Sequence, residues 1–280
     1  MKGNVRKLLV VTGVVAMMLP LFAQDQFAPE QGRGAPEGPF GGLGALGQRV
    51  ERQPASTGPA PRLPDGTIDL NGAWSGGGSS QDIARGLPEG ETLPLLPLAE
   101  QLMAARARLP TDDPHLWCMP MGVPRSTPYP FRFLQNYTHK VPTHMFIVYE
   151  GNIHSYRQIF MDGREHPEFL DPTWYGHSIG SWDGKDTLII DTVGFNDKFW
   201  FDRLGTPHTE QLHTIERWTR QDLGHLVNAV TIDDPGAYSR PFTVTFTATL
   251  RAPGDEIMEY ICQENNQYGI AGGNQNPFNR

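Results

Sequence analysis

The sequence predicts an all-β domain: an antiparallel up-and-down barrel of about eight to ten strands, with one helix in its N-terminal part. Residues 130–262 contain nine apolar segments that are separated by short turns. The clearest segment, residues 242–250, alternates apolar residues with threonines, as a strand with one buried face does. No helical periodicity interrupts this series. A long antiparallel meander usually closes into a barrel, because closure removes its exposed edges.

The first 23 residues are predicted to be an export signal. A basic start with Lys2, Arg6 and Lys7 precedes the apolar run 8–22, and Ala23 ends a plausible cleavage site. The run is shorter than the roughly 20 residues that a membrane-spanning helix needs. We therefore expect a periplasmic or secreted protein with no stable membrane insertion.

Residues 24–62 are rich in Gly and Pro and lack periodic apolar positions, which predicts a disordered linker. Residues 63–280 are then long enough for one β-barrel domain with a single core. The chain carries a formal net charge of −8 at pH 7. This acidity argues against nucleic acid as a partner, since phosphates require clustered Lys and Arg.

The barrel domain opens with a turn at residues 64–66 and a predicted strand at 67–74. The one convincing helix is predicted over residues 98–109, because Pro97 suits its first turn, Leu98 and Leu102 share a face, and Pro110 ends it. The predicted strands that follow are 130–136, 144–149, 153–160, 174–182, 187–194, 210–219, 225–232, 242–250 and 256–262.

The chain has two cysteines, Cys118 and Cys262. In an exported protein, two cysteines that lie far apart in sequence often form one structural disulfide. We expect this pair to be bonded.

Several long motifs resemble a family of secreted bacterial proteins of unknown function. They are CMPMGVPR (118–125), DGREHP (162–167), residues 171–220, TIDDPGAYSRPF (231–242) and YICQENN (260–266). The resemblance covers roughly residues 60–270. It implies secretion and a calycin-like (lipocalin-like) β-barrel, but no activity.

The stretch from Trp174 to Arg220 holds the predicted site, because histidines and charged residues lie there among four of the six tryptophans. Such a mixture is typical of a ligand pocket. We expect His177 and His213 to share one pocket with Arg217, beside Trp182, as acid–base residues. Glu216 is a third catalytic candidate, although strand alternation puts it on the other face from His213. The predicted ligand-binding residues are Trp182, Trp200, Asp202, Arg203 and Arg217.

A transition metal is the one cofactor that the sequence leaves open. The predicted ligands are His177, His208 and His213, since imidazole suits several such metals. Their spacing is not diagnostic. The Glu210-x-x-His213 pattern lacks the second copy that a carboxylate-bridged helical site needs.

Residues 176–180 also match G-x-S-x-G, with Ser178 in the position of a hydrolase nucleophile. That elbow requires a strand followed by a helix, whereas here a turn and another strand follow. Two glycines that let a strand curve are the simpler interpretation.

Three functional classes follow from these patterns. The first is an exported protein that binds a small apolar or aromatic molecule in a His/Trp/Arg-lined pocket. The second is a hydrolase, lyase or isomerase that uses His177 and His213 in that pocket, and the serine hydrolase is a weaker form of it. The third is an interaction module with a filled barrel.

Overall fold

The computed structural model describes residues 54–138, 141–151 and 155–262 of the 280-residue chain. Within these ranges, nine strands follow one another in chain order around one sheet. They are β1 (Trp74–Gly76), β2 (Phe131–Thr138), β3 (Val141–Tyr149), β4 (Tyr156–Phe160), β5 (His177–Asp183), β6 (Thr187–Val193), β7 (His213–Arg220), β8 (His225–Asp233) and β9 (Phe242–Leu250).

The sheet closes into a barrel, because β1 pairs with both β2 and β9. Every neighbouring pair is antiparallel except β4 and β5, which run parallel with Ile159 opposite Ser178. The predicted barrel is therefore present, but the prediction of an unbroken up-and-down order is wrong at this pair. A parallel pair needs a crossover connection. Residues 161–176 make that crossover, from the C-terminal end of β4 back to the start of β5.

Two predicted strands differ clearly from the structure. Residues 256–262 form no strand, and Glu150 instead holds this segment by accepting a hydrogen bond from the backbone N–H of Met258 (2.9 Å). Of the strand predicted at 67–74, only Trp74 lies in β1, and Ile68 forms an isolated bridge with Arg62. A side-chain acceptor replaces the ladder at 256–262, whereas at 67–74 Ile68 and Asp69 donate their backbone N–H groups to the carbonyls of Lys185 and Pro61. A pattern of alternation reveals neither contact.

One α-helix, α1 (Pro97–Arg106), lies between β1 and β2 in the part of the chain that the structure describes. It begins at the predicted proline and ends three residues before the predicted end. Its buried residue is Ala99, whereas Leu98 and Leu102 are exposed. The apolar face that the sequence suggested is therefore not the packed one.

Aromatic side chains fill the middle of the barrel. Phe131, Phe133 and Trp218 pack with ring centroids 5.4–5.7 Å apart, and each is at most 3% exposed. Strand alternation produces this interior, because every second residue of β6, β7 and β8 is buried. A second buried cluster, which includes Phe195, Phe199 and Phe201, lies where the β6–β7 connection packs on β8 and β9.

Cys118 and Cys262 form a disulfide across 144 residues of chain, as predicted. The predicted signal 1–23 lies outside the described residues, as does the predicted linker up to residue 53. The end of that linker contacts the barrel: Gly58 accepts a hydrogen bond from Leu223, and Arg62 pairs with Asp186 at 2.5 Å. None of the described helices is long and apolar enough to cross a bilayer.

Candidate functional site

The outer face of β5, β6 and β7 carries a group of polar side chains. In β5 and β7, Ser178 and Thr214 are buried, whereas the preceding residues, His177 and His213, are turned to the outside. Asp191 of β6 faces outward in the same way. The register places Thr192 opposite both Ser178 and Thr214, so the three outward residues lie close together on adjacent strands.

The crossover adds His166 to this group and completes a chain of hydrogen bonds. The Nδ1 atoms of His166 and His177 lie 2.8 Å apart. Nε2 of His166 lies 3.3 Å from Oδ1 of Asp191, and Nε2 of His213 lies 2.7 Å from the same oxygen. The order His177–His166–Asp191–His213 is called the histidine chain below.

The protons of the histidine chain follow from its geometry. A carboxylate only accepts, so the Nε2–H groups of His166 and His213 donate to Asp191. A neutral His166 then has a bare Nδ1, which accepts the Nδ1–H of His177. When His166 carries protons on both ring nitrogens, its Nδ1–H is the donor, and His177 accepts at Nδ1 with its own proton on Nε2. The chain thus takes up or releases a proton with little movement of heavy atoms.

The surroundings of His177 favour its neutral form. Burial, followed by the nearby His166 and Arg164, lowers the pKa of His177. The Phe160 ring stacks on the imidazole at 5.0 Å, and the Arg164 guanidinium lies 3.8 Å from the centre of that ring. Asp162 holds Arg164 with hydrogen bonds of 2.5–3.1 Å, and this contact lowers the pKa of Asp162 to about 2.

A depression of about 290 Å³, open to solvent, lies at the end of the barrel where β5 begins. Trp174 and Tyr175 in its wall precede His177 by three and two residues, a distance of less than about 10 Å along an extended chain. The Tyr175 hydroxyl is held 2.9 Å from Ser155, and its ring stacks on Tyr149. The depression is lined by Pro120, Ser155, Tyr156, Thr173, Trp174 and Tyr175.

The inner side of the same three strands is tied together by one buried arginine. Arg157 of β4 donates through Nε to Ser178 (3.0 Å), through Nη2 to Thr192 (2.6 Å) and through Nη1 to Glu216. The arginine and the glutamate are both 1% exposed at the side chain. Trp218 donates to the second oxygen of Glu216 at 3.2 Å. Arg157 therefore fixes β5, β6 and β7 directly behind the histidine chain.

The structure places the predicted catalytic residues on two faces of the sheet. His177 and His213 lie on the outer face and are joined through His166 and Asp191. Glu216 lies inside as the partner of Arg157, with no bulge that brings it outward. Ser178 also points inward and is 1% exposed, so its hydroxyl does not meet either histidine.

The predicted ligand-binding residues do not gather around the histidines. Trp182 packs against the barrel core, on the opposite face of β5 from His177, so the expectation that it lies beside the histidines is wrong. Arg217 lies outside but four residues along β7, where it pairs with Asp183 at 2.5 Å. Trp200 is buried beneath Arg106. Asp202 and Arg203 belong to the β6–β7 connection.

The predicted metal set is not assembled. His208 is 3% exposed and packs between Phe199 and Phe201, away from the outer face that carries His177 and His213. Burial lowers the pKa of His208 to about 4, so its imidazole is neutral. Within the described ranges, no group of three or more His, Cys, Asp or Glu side chains is arranged to hold a metal ion. In the histidine chain, His166 stands between His177 and Asp191, so the donor atoms follow one another and do not surround a common point.

Two residues of this region were missing from the sequence prediction, His166 and Arg157. His166 belongs to the DGREHP motif, which looked like a turn followed by a loop. Arg157 lies in the predicted strand 153–160, for which the sequence indicated no functional residue. The one signal for His166 was the motif itself, in which a histidine follows an Asp-Gly-Arg turn. Its contact partner, His177, lies 11 residues further along the chain, so the motif did not reveal the contact.

No protein-family model, no curated protein and no solved structure matches the chain. The resemblance to secreted bacterial proteins therefore rests on the sequence motifs alone.

Proposed function

We propose that this protein is an enzyme that catalyses proton transfer in a small molecule with an apolar or aromatic part. The observation that carries this proposal is the histidine chain, in which one carboxylate orients two imidazoles and a third imidazole extends the chain. General acid–base catalysis needs a group whose proton affinity lies near neutral pH and whose tautomer is fixed by a neighbour. His177 is the terminal group and exchanges the substrate proton. His166 passes that proton on, and Asp191 holds His166 and His213 in place.

The adjacent depression supplies the second half of a site. Its wall contains three aromatic side chains, and it begins within a few residues of His177. An apolar wall beside a few orienting polar groups is the usual construction of a small-molecule site. The reaction classes that fit this site are hydrolysis, elimination and isomerisation, which all begin with proton transfer.

Export to the periplasm or the outside of the cell, and a calycin-like barrel, are part of the same proposal. The disulfide between Cys118 and Cys262 supports an oxidising compartment. The closed nine-stranded barrel is compatible with a calycin-like fold, and the parallel β4–β5 pair is the departure from the simplest form of it.

The test uses generic probes for proton abstraction and for acyl transfer. Purified mature protein is incubated in D₂O with an aryl methyl ketone, whose α-proton exchange is followed by NMR, and separately with p-nitrophenyl acetate. We expect acceleration by the wild type, and a fall of about 10²–10⁴-fold in His177→Gln and His166→Gln. His225→Gln is the matched control, because His225 also pairs with a carboxylate, Asp222, but has no second imidazole.

Two results would overturn the acid–base proposal. One is a wild type that accelerates neither probe, or a His177→Gln variant that is as active as the wild type. The other is stoichiometric zinc, iron or copper in the purified protein that is lost in the His177 variant, which would replace proton transfer by metal chemistry.

A second candidate function, binding without catalysis, is favoured by Trp174 in the wall of the depression. Quenching of tryptophan fluorescence by 1-naphthol, lost in Trp174→Phe but kept in His177→Gln, would support binding at this place. If neither probe reaction is accelerated while this quenching is observed, the protein is a small-molecule binder and not an enzyme.

A further inference from the structure

A second polar cluster lies beneath the connections at the end of the barrel where β1 ends and β2 begins. Arg125 is 1% exposed and donates to both carboxylate oxygens of Asp113, at 2.9 and 2.5 Å. It also donates to the backbone carbonyl of Trp200 at 3.3 Å. Asp113 additionally accepts the backbone N–H of His115, at the start of the 3₁₀ turn Pro114–Trp117. This group belongs to no part of the proposed acid–base site.

Two buried nitrogen atoms in this cluster are left without a partner. Nε of Arg125 and Nδ1 of His115 are shielded from solvent, and neither forms a hydrogen bond within the described ranges. An arginine has only donors, so its Nε–H needs an acceptor. A buried donor without one costs free energy comparable to a lost hydrogen bond. Asp113 does not meet this need, because its oxygens accept from Nη1 and Nη2 of Arg125 and not from Nε.

Arg203 extends the cluster toward solvent. Its backbone N–H donates to the carbonyl of Ser80 at 3.0 Å, while its side chain is exposed and forms no ion pair with the described residues. The guanidinium is close enough to lower the pKa of both His115 and Tyr129. The rings of His115 and Tyr129 lie 6.0 Å apart. Burial lowers the pKa of His115 to about 4, so this imidazole is neutral.

The charges of the cluster limit what it can hold. Arg125 pairs with Asp113, whereas Arg203 forms no ion pair with the described residues, so the cluster keeps one positive charge that a ligand can neutralise. The carboxylate of Asp202 is occupied by backbone N–H groups of Ile83, Leu204 and Thr206 and does not accept from either arginine. A dianion would therefore add a second, uncompensated charge. A monoanion with two acceptor oxygens matches the unused donors.

We propose that this cluster is a binding site for the carboxylate group of a small molecule. Arg203 meets the ligand at the exposed side, the Nε–H of Arg125 donates to it from the buried side, and the rings of His115 and Tyr129 flank it. A carboxylate suits the site because arginine N–H groups bind planar oxyanions in defined geometry. The site is independent of the histidine chain, and it holds whether or not the protein is an enzyme.

The test measures ligand-induced stabilisation of the full-length mature protein. A ligand that binds only the folded state raises the midpoint of thermal unfolding in proportion to its affinity. Benzoate and acetate are compared with neutral benzamide and with inorganic phosphate, all at one ionic strength. We expect benzoate and acetate to raise the midpoint and the other two to leave it unchanged. In ¹⁵N NMR spectra, the ring nitrogens of His115 should shift with benzoate.

Two exposed arginines provide matched variants that keep the fold. Arg203→Gln should weaken carboxylate binding by about tenfold or more, as expected for the loss of a charged hydrogen bond. Arg217→Gln, on the outer face of β7, should respond to benzoate as the wild type does. The proposal is overturned if no carboxylate raises the wild-type midpoint, if Arg203→Gln responds as strongly as the wild type, or if phosphate stabilises as much as benzoate.

Discussion

Replacing Arg157 by Met removes a buried guanidinium that joins β4 to the inner sides of β5, β6 and β7. The variant loses three donated hydrogen bonds and leaves the carboxylate of Glu216 buried, with only the Trp218 N–H as a partner. Breaking a buried ion pair by removing one member costs about 3–5 kcal/mol, because the remaining charge is uncompensated. A domain of ordinary stability has about 5–15 kcal/mol in total. We expect Arg157→Met to lose a large part of its unfolding free energy.

A double-mutant cycle separates the ion pair from simple loss of packing. Glu216→Leu alone should destabilise by a comparable amount, since it leaves the guanidinium buried and unpaired. The Arg157→Met/Glu216→Leu double variant should be much more stable than the sum of the two losses predicts, because an apolar replacement of both partners is often neutral. Urea unfolding with the disulfide intact, followed by tryptophan fluorescence, gives the three free energies. Strictly additive losses, or single losses below about 1 kcal/mol, would refute the reasoning.

A second substitution at the same position, Arg157→Lys, tests whether the inner network positions the histidine chain. Ser178, Thr192 and Glu216 are held by Arg157 on β5, β6 and β7, and the neighbouring outward residues include His177 and Asp191. Arg157→Lys keeps the charge but cannot reach three partners with a planar fork. Its histidine ring resonances should lose the signature of the His177–His166 bond while the protein stays folded. Unchanged resonances would mean that the outer chain does not depend on the inner network.

Three further outcomes follow from the structure. The Cys118–Cys262 disulfide closes a loop of 144 residues. From the loss of loop-closure entropy in the unfolded chain, we expect its reduction to lower the unfolding free energy by about 5 kcal/mol. An unchanged urea midpoint would contradict this. A chain that starts at Leu63 should melt at a lower temperature than one that starts at Pro54, because residues 54–62 contact the barrel; equal midpoints would show those contacts to be dispensable. His208 has its pKa lowered from 6.5 to about 4 in the folded protein, so the unfolded chain binds the proton first as pH falls. Stability that is present above about pH 6.5 should therefore decline toward pH 4, by at most about 3 kcal/mol, and His208→Phe should flatten that slope in urea titrations at several pH values.

The sequence indicated most strands because each has to bury alternate residues. The alternation in 242–250 and the apolar run at 187–194 therefore predict β9 and β6 well, with β9 at the residue bounds that the structure has. The incorrectly predicted strands occur where another interaction replaces the hydrogen bonds between strands. Residues 256–262 are apolar enough for a strand, but Glu150 binds their backbone, and no alternation pattern reports a side-chain acceptor.

The face on which a residue lies could be predicted within one strand but not between strands. Alternation separated His213 from Glu216 correctly, because successive side chains of a strand point to opposite sides. The same rule separates His177 from Trp182, five residues further along β5. The expectation that they lie side by side did not apply this parity to β5.

The sequence by itself determined the closed β-barrel, the disulfide partners and the presence of a histidine-rich segment. Strand alternation indicates the barrel, and the residue types themselves indicate the other two. Only the tertiary structure decided which histidines meet. His166 reaches His177 because β4 and β5 are parallel, so the crossover returns along the barrel and carries a loop residue back to the start of the next strand. Arg157 lies behind Ser178, Thr192 and Glu216 because the parallel pairing places β4 beside β5. Such contacts join residues 11–59 positions apart, and their partners are set by strand order and register, which no local pattern encodes.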